Sequence, residues 1–213
     1  MLAVAALAIK LDDGGPVLYR QERVGRDGRR FKVLKLRTMV PDASAQLEHL
    51  AARNERNGPL FKLSLDPRVT RVGRFLRSTS IDELPQLVNV VRGDMSLVGP
   101  RPALPSELER FDHELRKRIS VPPGLTGLWQ VEARDNPSFH TYRRLDLFYV
   151  DNWSLAMDLA IIAGTVWVVV ERAARALRGG AELVHLTAGR PENAAPAVAL
   201  IEPAATASDS LPA

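Results

Sequence analysis

Glycine and proline cut this chain into pieces too short for a long uninterrupted element until its last third. Breaks stand at Gly14-Gly15-Pro16, Gly58-Pro59, Arg92-Gly93-Asp94, Gly99-Pro100-Arg101-Pro102 and Pro122-Pro123-Gly124. Between them the chain reads as short strands and short helices. Val17-Leu18-Tyr19-Arg20-Gln21 reads as a strand, Arg26-Asp27-Gly28 as a turn, and Arg30 to Arg37 alternates basic with apolar residues. Together they predict a β-hairpin with one basic face. From Val17 to Arg37 there are eight basic residues and two acidic ones. Pro41-Asp42 opens a predicted amphipathic helix through Asn54, with Leu47, Leu50 and Ala51 on one face. Arg68, Arg71, Arg74 and Arg77 recur every three residues, which stacks them along one side of a helix. Helices are also predicted over Asp82–Val91 and over Ser106–Ile119, the latter with Ser106 as N-cap. A loop-rich region runs to about Ser138. The last stretch, from about Thr141 to Leu177, reads as helix in two pieces meeting near Asn152. The pattern is α+β, without an internal repeat.

The 213 residues suit one domain with appendages, and the absence of cysteine excludes disulfide staples, thiolate metal sites and a thiol nucleophile. It fits a reducing compartment. Net charge is only +4, but residues 1–178 hold 28 basic and 21 acidic side chains, a net +7. Such a body attracts phosphates, nucleic acid or an acidic membrane face. Residues 179–213 hold ten Ala, four Pro and no aromatic residue, and are expected to be disordered. No apolar run reaches the ~18 residues of a spanning helix. Leu2–Leu11, interrupted by Lys10, and Leu155–Val170, interrupted by Asp158, come nearest. The first lacks the flanks of a signal peptide and has the length of an interfacial, re-entrant or buried helix. The second reads equally as a core helix or, with Trp153 and Trp167, as a membrane-facing stripe.

Nucleotide-binding glycine motifs, HExxH and Asp-x-Asp are all missing, and four scattered His argue against a zinc site. The strongest local constellation is Arg77-Ser78-Thr79-Ser80-Ile81-Asp82-Glu83-Leu84-Pro85-Gln86. Alone, Asp82 would pass for an N-cap and Glu83 for a dipole partner. Beside Arg77 and the arginine row, the pair has another use. An ionised carboxylate is a nucleophile toward phosphorus, and its neighbour can hold Mg²⁺ against phosphate oxygens. Arg101, pinned between two prolines, has the fork that grips phosphate, although a solvated turn arginine would look the same. Lys35 and Arg37 are equally ordinary strand residues or phosphate ligands.

Six ordered blocks carry a resemblance. They are Phe31–Met39, Asp66–Thr70, Arg77–Leu87, Gly93–Pro102, Pro123–Val131 and Asp146–Leu155. Over about residues 2–172 the chain resembles the bacterial sugar transferase family, monotopic polyprenyl-phosphate phosphoglycosyl transferases; Trp129-Gln130-Val131 and Asn152-Trp153-Ser154-Leu155 look closest to members that start exopolysaccharide or capsule repeats. The resemblance implies transfer of a sugar-1-phosphate from a UDP-sugar to undecaprenyl phosphate, with release of UMP. It implies Asp82 as the nucleophile of a phosphosugar intermediate, Glu83 as Mg²⁺ ligand and Asp146 as a further catalytic carboxylate. Lys35, Arg77 and Arg101 fall to the substrate phosphates or nucleotide, and Arg37, read from the residues alone, is counted with them as a candidate phosphate ligand.

The implied setting is the cytoplasmic face of the bacterial inner membrane, where a soluble donor meets a lipid acceptor. Family members carry a longer apolar helix, usually broken by Ser-Pro, ahead of the hairpin; here Met1-Leu2-Ala3 stands inside that helix. The expected organisation is therefore a remnant of a membrane-associated helix over 1–12, a catalytic domain over 13–178 and the tail. The rival expectation is a basic protein that binds nucleic acid or anionic lipid without catalysis; under the transferase reading nucleic acid is no partner.

Overall fold

The computed structural model describes residues 1–55, 60–134, 136 and 138–178; the expected tail and the Gly58-Pro59 break lie outside these. In chain order the helices and strands are α1 (Leu2–Asp13), β1 (Leu18–Val24), β2 (Arg30–Leu36), α2 (Leu47–Leu50), α3 (Arg71–Ser78) and α4 (Leu87–Val91). Then follow β3 (Ser96–Val98), α5 (Pro105–Glu109), β4 (Gly124–Thr126), α6 (Leu128–Glu132), α7 (Phe139–Asp151) and α8 (Leu155–Arg178). The α+β expectation holds, with sheets of two strands each.

The hairpin forms as expected. Leu18 faces Leu36 and Val24 faces Arg30 in antiparallel register, and β1 extends three residues past Gln21. Asp27 and Gly28 supply the two positive φ angles of its turn. One edge of β2 is closed by a side chain instead of a third strand. Asn89, 1 % exposed, donates from Nδ2 to the Lys32 carbonyl (2.9 Å) and accepts the Leu34 N–H (3.1 Å). It satisfies these backbone groups of β2 as a neighbouring strand would.

Two predicted helices fragment. Over 41–54 only α2 and a 3₁₀ turn at Ala51–Arg53 are helical. Asp42 instead closes turns, its carbonyl taking the Ala45 N–H and its carboxylate the Gln46 side-chain amide. Over 106–119 the chain splits into α5 and a 3₁₀ segment at Leu115–Ser120. Ser106 is not the cap; Leu104 holds that position, and Glu107 accepts its N–H (2.7 Å) while turning inward to Arg101. The loop-rich region before Ser138 contains α6 and β4, the latter pairing in parallel with β3. Gly99 and Gly124 cross there so closely that a Cβ on Gly124 would lie 2.1 Å from the Gly99 nitrogen. The two-piece helix at the end stands as expected, breaking between Asp151 and Leu155.

Two apolar clusters carry the framework. Ala5 and Ile9 of α1 pack against Leu36 and Leu76, so α1 is docked on the hairpin and α3. Met157 and Ile161 of α8 pack against Val98, Leu128 and Tyr149. The Leu155–Val170 stripe thus divides: one face is core, while Leu155, Leu159, Val166, Trp167 and Val170 remain exposed. Among the described residues no helix is long and apolar enough to cross a membrane.

Candidate active site

The geometry begins at Thr70, whose hydroxyl caps α3 by accepting the Gly73 N–H (2.9 Å). Gly73 lies directly on the backbone that follows β2; a Cβ there would sit 2.1 Å from the Thr38 carbonyl oxygen. Only glycine permits this approach, and it brings Arg77 over Thr38, where Nε donates to the threonine hydroxyl (2.9 Å). At the end of α3 the Ser78 and Thr79 hydroxyls bond back to the carbonyls of Phe75 and Leu76. Ser80 then turns left-handed, with φ of 57°, and starts a 3₁₀ segment over Ile81–Gln86. Its carbonyl accepts the Glu83 N–H (3.2 Å). The helix expected from Asp82 is therefore 3₁₀ first and α only from Leu87. Asp82 lies inside the segment, not at its cap.

Asp82 is 7 % exposed. Burial, joined by the adjacent Glu83, lifts its carboxyl to about 6 against the pull of Lys35, Arg77 and Arg134. Glu83 goes the other way. Burial acts to raise it, but Lys35, whose Nζ is 2.9 Å from Oε1, together with Arg134 and Arg172, takes it down to about 2. Burial also pulls the Arg77 guanidinium below its usual value, while Asp82 and Glu83 support its charge. Two neighbouring carboxylates driven apart in this way are the mark of groups with different tasks. One is charged at every working pH. The other is a desolvated carboxylate that ionises once the pH exceeds about 6, a state in which a carboxylate can attack phosphorus. Four cations surround two carboxylates, so the group draws anions.

Of the residues expected at the site, Lys35, Arg77, Asp82 and Glu83 come together. Arg134 and Arg172, which sequence reasoning missed, join them. Arg172 follows a long apolar stretch on α8, a position that signals a cation held at a surface; Arg134 had no such mark. The arginine row does not survive as a row. Arg68 precedes α3 and is buried against Asp66 (2.7 Å), Arg71 and Arg74 are exposed, and Arg77 alone turns to the carboxylates.

Three expected residues lie elsewhere. Arg37 is buried, with its guanidinium forked onto Asp13 at the end of α1 and bonded to the carbonyls of Pro16 (2.5 Å) and Met39 (3.2 Å). Its donors are committed to the fold. Arg101 pairs with Glu107 (3.1 Å), which also faces Arg23 (3.8 Å), and borders a shallow cleft with Val24, Pro100, Ile119 and Pro123. Asp146 is buried 2.7 Å from Arg118, whose guanidinium also bonds the Tyr142 hydroxyl and the Arg101 carbonyl. Burial lifts the Asp146 carboxyl and Arg118 opposes it.

Comparison with known proteins gives this arrangement a context. The profile of the family described as bacterial sugar transferase matches residues 1–172. A UDP-galactose-lipid carrier transferase of Erwinia amylovora is 52 % identical over 165 residues, 75 % of this chain and 34 % of that protein. The undecaprenyl-phosphate galactose phosphotransferase of Salmonella typhimurium is 47 % identical, over 75 % of this chain and 34 % of its own length. The exopolysaccharide production protein ExoY of Rhizobium meliloti is 46 % identical, over 78 % of this chain and 74 % of its own. The chain spans about a third of the first two relatives and most of the third. With its motifs in order and its profile matched almost to the end of α8, the chain belongs to the bacterial sugar transferase family.

Proposed function

We propose that the chain transfers a sugar-1-phosphate from a UDP-sugar to undecaprenyl phosphate, releasing UMP, as the first membrane step of exopolysaccharide, capsule or other glycan assembly. The observation that carries this reading is the adjacent carboxylate pair with opposed pKa values, ringed by Lys35, Arg77, Arg134 and Arg172. An Asp82 oxygen attacks the phosphorus that bears the sugar. The bond from that phosphorus to the bridging oxygen breaks, and UMP leaves with the electron pair. A phosphate oxygen of the lipid then attacks the same phosphorus, the Asp82 O–P bond breaks, and a lipid diphosphate-sugar departs with the carboxylate restored. Lys35 and Arg77 offset phosphate charge in both steps. Arg101, at the edge of its cleft, is assigned to the nucleotide end of the donor, and Asp146 and Arg37 act at one remove by holding other groups in place.

A divalent cation would enter together with donor phosphates: the two adjacent carboxylates would supply oxygens to it, and the phosphates would offset the four cations around them. No cluster of three or more His, Asp or Glu able to hold a metal occurs among the described residues. Glu83, with Asp82 beside it, would hold Mg²⁺ in the manner usual for that ion, through one or two carboxylates, waters and substrate phosphates. Bound there, Mg²⁺ neutralises phosphate charge. The setting we assign is the cytoplasmic face of the inner membrane, where nucleotide-sugars are available. Exposed Val4, Leu7 and Leu11 on α1 and Val166, Trp167 and Val170 on α8 would rest on the bilayer, and the basic body favours anionic headgroups.

The test is UMP release in detergent or lipid nanoparticles with Mg²⁺, undecaprenyl phosphate and a panel of UDP-sugars. Release that depends on all three and vanishes in Asp82→Asn is expected. No release with any sugar, joined by salt-sensitive binding to DNA or RNA, would replace this reading with the non-catalytic one.

A further inference from the structure

Three hydroxyl residues lie in a row ahead of Asp82, and they behave differently. Ser78 and Thr79 spend their hydroxyls on carbonyls of the α3 turn behind them. The Ser80 Oγ is shut away from solvent and meets no hydrogen-bond partner among the described residues. Ser80 is also one of only two non-glycine residues among those described with positive φ, the other being Asp27 in the hairpin turn. Glycine would take that backbone without strain, and asparagine or aspartate with less than serine. A strained serine whose buried hydroxyl bonds nothing carries two penalties, and neither serves the turn itself.

Ser80 lies between Arg77 and Asp82, its carbonyl takes the Glu83 N–H, and Ile81 beside it packs into the α1–α3 cluster. Its backbone is therefore held from both sides, two residues ahead of Asp82 and three ahead of Glu83. We infer that the Ser80 hydroxyl is a further catalytic group, donating a hydrogen bond to a non-bridging oxygen of the phosphoryl group attacked by Asp82. No proton is transferred in this role. The O–H stays on Ser80 and stabilises charge as the phosphorus passes from UMP to the carboxylate. The inference rests on the phosphosugar-transfer reading above.

The test measures UMP release from UDP-galactose and from UDP-glucose by wild type, Ser80→Gly, Ser80→Ala and Asp82→Asn, with melting temperatures alongside. Glycine relieves the strain and removes only the hydroxyl. Ser80→Gly is expected to melt at or above the wild-type temperature, to keep its KM within about threefold and to lose roughly 100-fold in kcat, the scale of one donor lost from a charge-stabilising site. Ser80→Ala should lose kcat to a similar degree. A Ser80→Gly enzyme within about twofold of wild-type kcat would overturn the inference alone, and so would a kcat loss that merely accompanies a lower melting temperature in both variants. A wild-type chain that releases no UMP from these or any other UDP-sugar of the panel would overturn the phosphosugar-transfer reading, and this inference with it.

Discussion

Asp82 and Glu83 differ by one methylene, and their surroundings do the rest. Burial and Glu83 hold the Asp82 carboxyl at about 6, whereas Lys35, Arg134 and Arg172 overcome burial at Glu83 and hold it near 2. The rate should therefore fall about tenfold per pH unit below about 6, as protonation of Asp82 removes the nucleophile, while Glu83 stays charged throughout; a pH–rate profile of kcat/KM checks this. The same shift sets a stability effect. A raised pKa means the folded state binds the proton more tightly, so the contribution of Asp82 is favourable below its unfolded value and is lost as pH rises through about 6. Asp82→Asn should accordingly abolish turnover yet gain about 1–3 kcal/mol at pH 8, read as a higher melting temperature. The carboxylate pair was legible because its residues are adjacent and stand beside Arg77. Arg134 and Arg172 were not, since folding alone brings them to Glu83. Arg37 shows the converse: its place in a basic strand suggested phosphate, but the nearby end of α1 offers Asp13.

Among the elements, α7 is tied to the Gly99–Pro102 turn through one buried pair. Asp146 on α7 holds Arg118, and Arg118 reaches the Arg101 carbonyl and the Tyr142 hydroxyl. Asp146 thus fixes, through Arg118, the turn that carries Arg101. Replacing it with asparagine leaves a buried guanidinium without its counter-charge, which costs about 3–5 kcal/mol. Asp146→Asn should lower the melting temperature by roughly 10 °C; an unchanged melting temperature with lost turnover would instead make Asp146 a residue of the chemistry. The hairpin was legible from alternation and an Asp-Gly turn. The β3–β4 pair was not, because three-residue strands carry no measurable period and their partners lie far apart in sequence. The helix predicted over 41–54 failed for a local reason: Asp42 offers the backbone turns that compete with a helix.

Over the whole molecule, the elements that build the framework also supply the site. The Arg37–Asp13 fork and the Ala5–Ile9 contacts fasten α1 to the hairpin that supplies Lys35, while α8 supplies Arg172 and buries Met157 and Ile161. The net +7 of residues 1–178 and the two apolar stripes were plain in the sequence. That each stripe is half core and half exposed was not, since hydropathy does not say which face finds a partner. At the centre of the proposed reaction, Asp82 becomes covalently bound to the phosphosugar. The most direct test of this step is the intact mass of the protein after incubation with Mg²⁺ and a UDP-sugar that supports turnover, without lipid acceptor. A gain of one sugar phosphate is expected, mapped to the peptide holding Asp82, absent from Asp82→Asn and discharged by undecaprenyl phosphate. UMP release that runs at full rate with lipid, while no adduct forms without it and Asp82→Asn remains active, would contradict it.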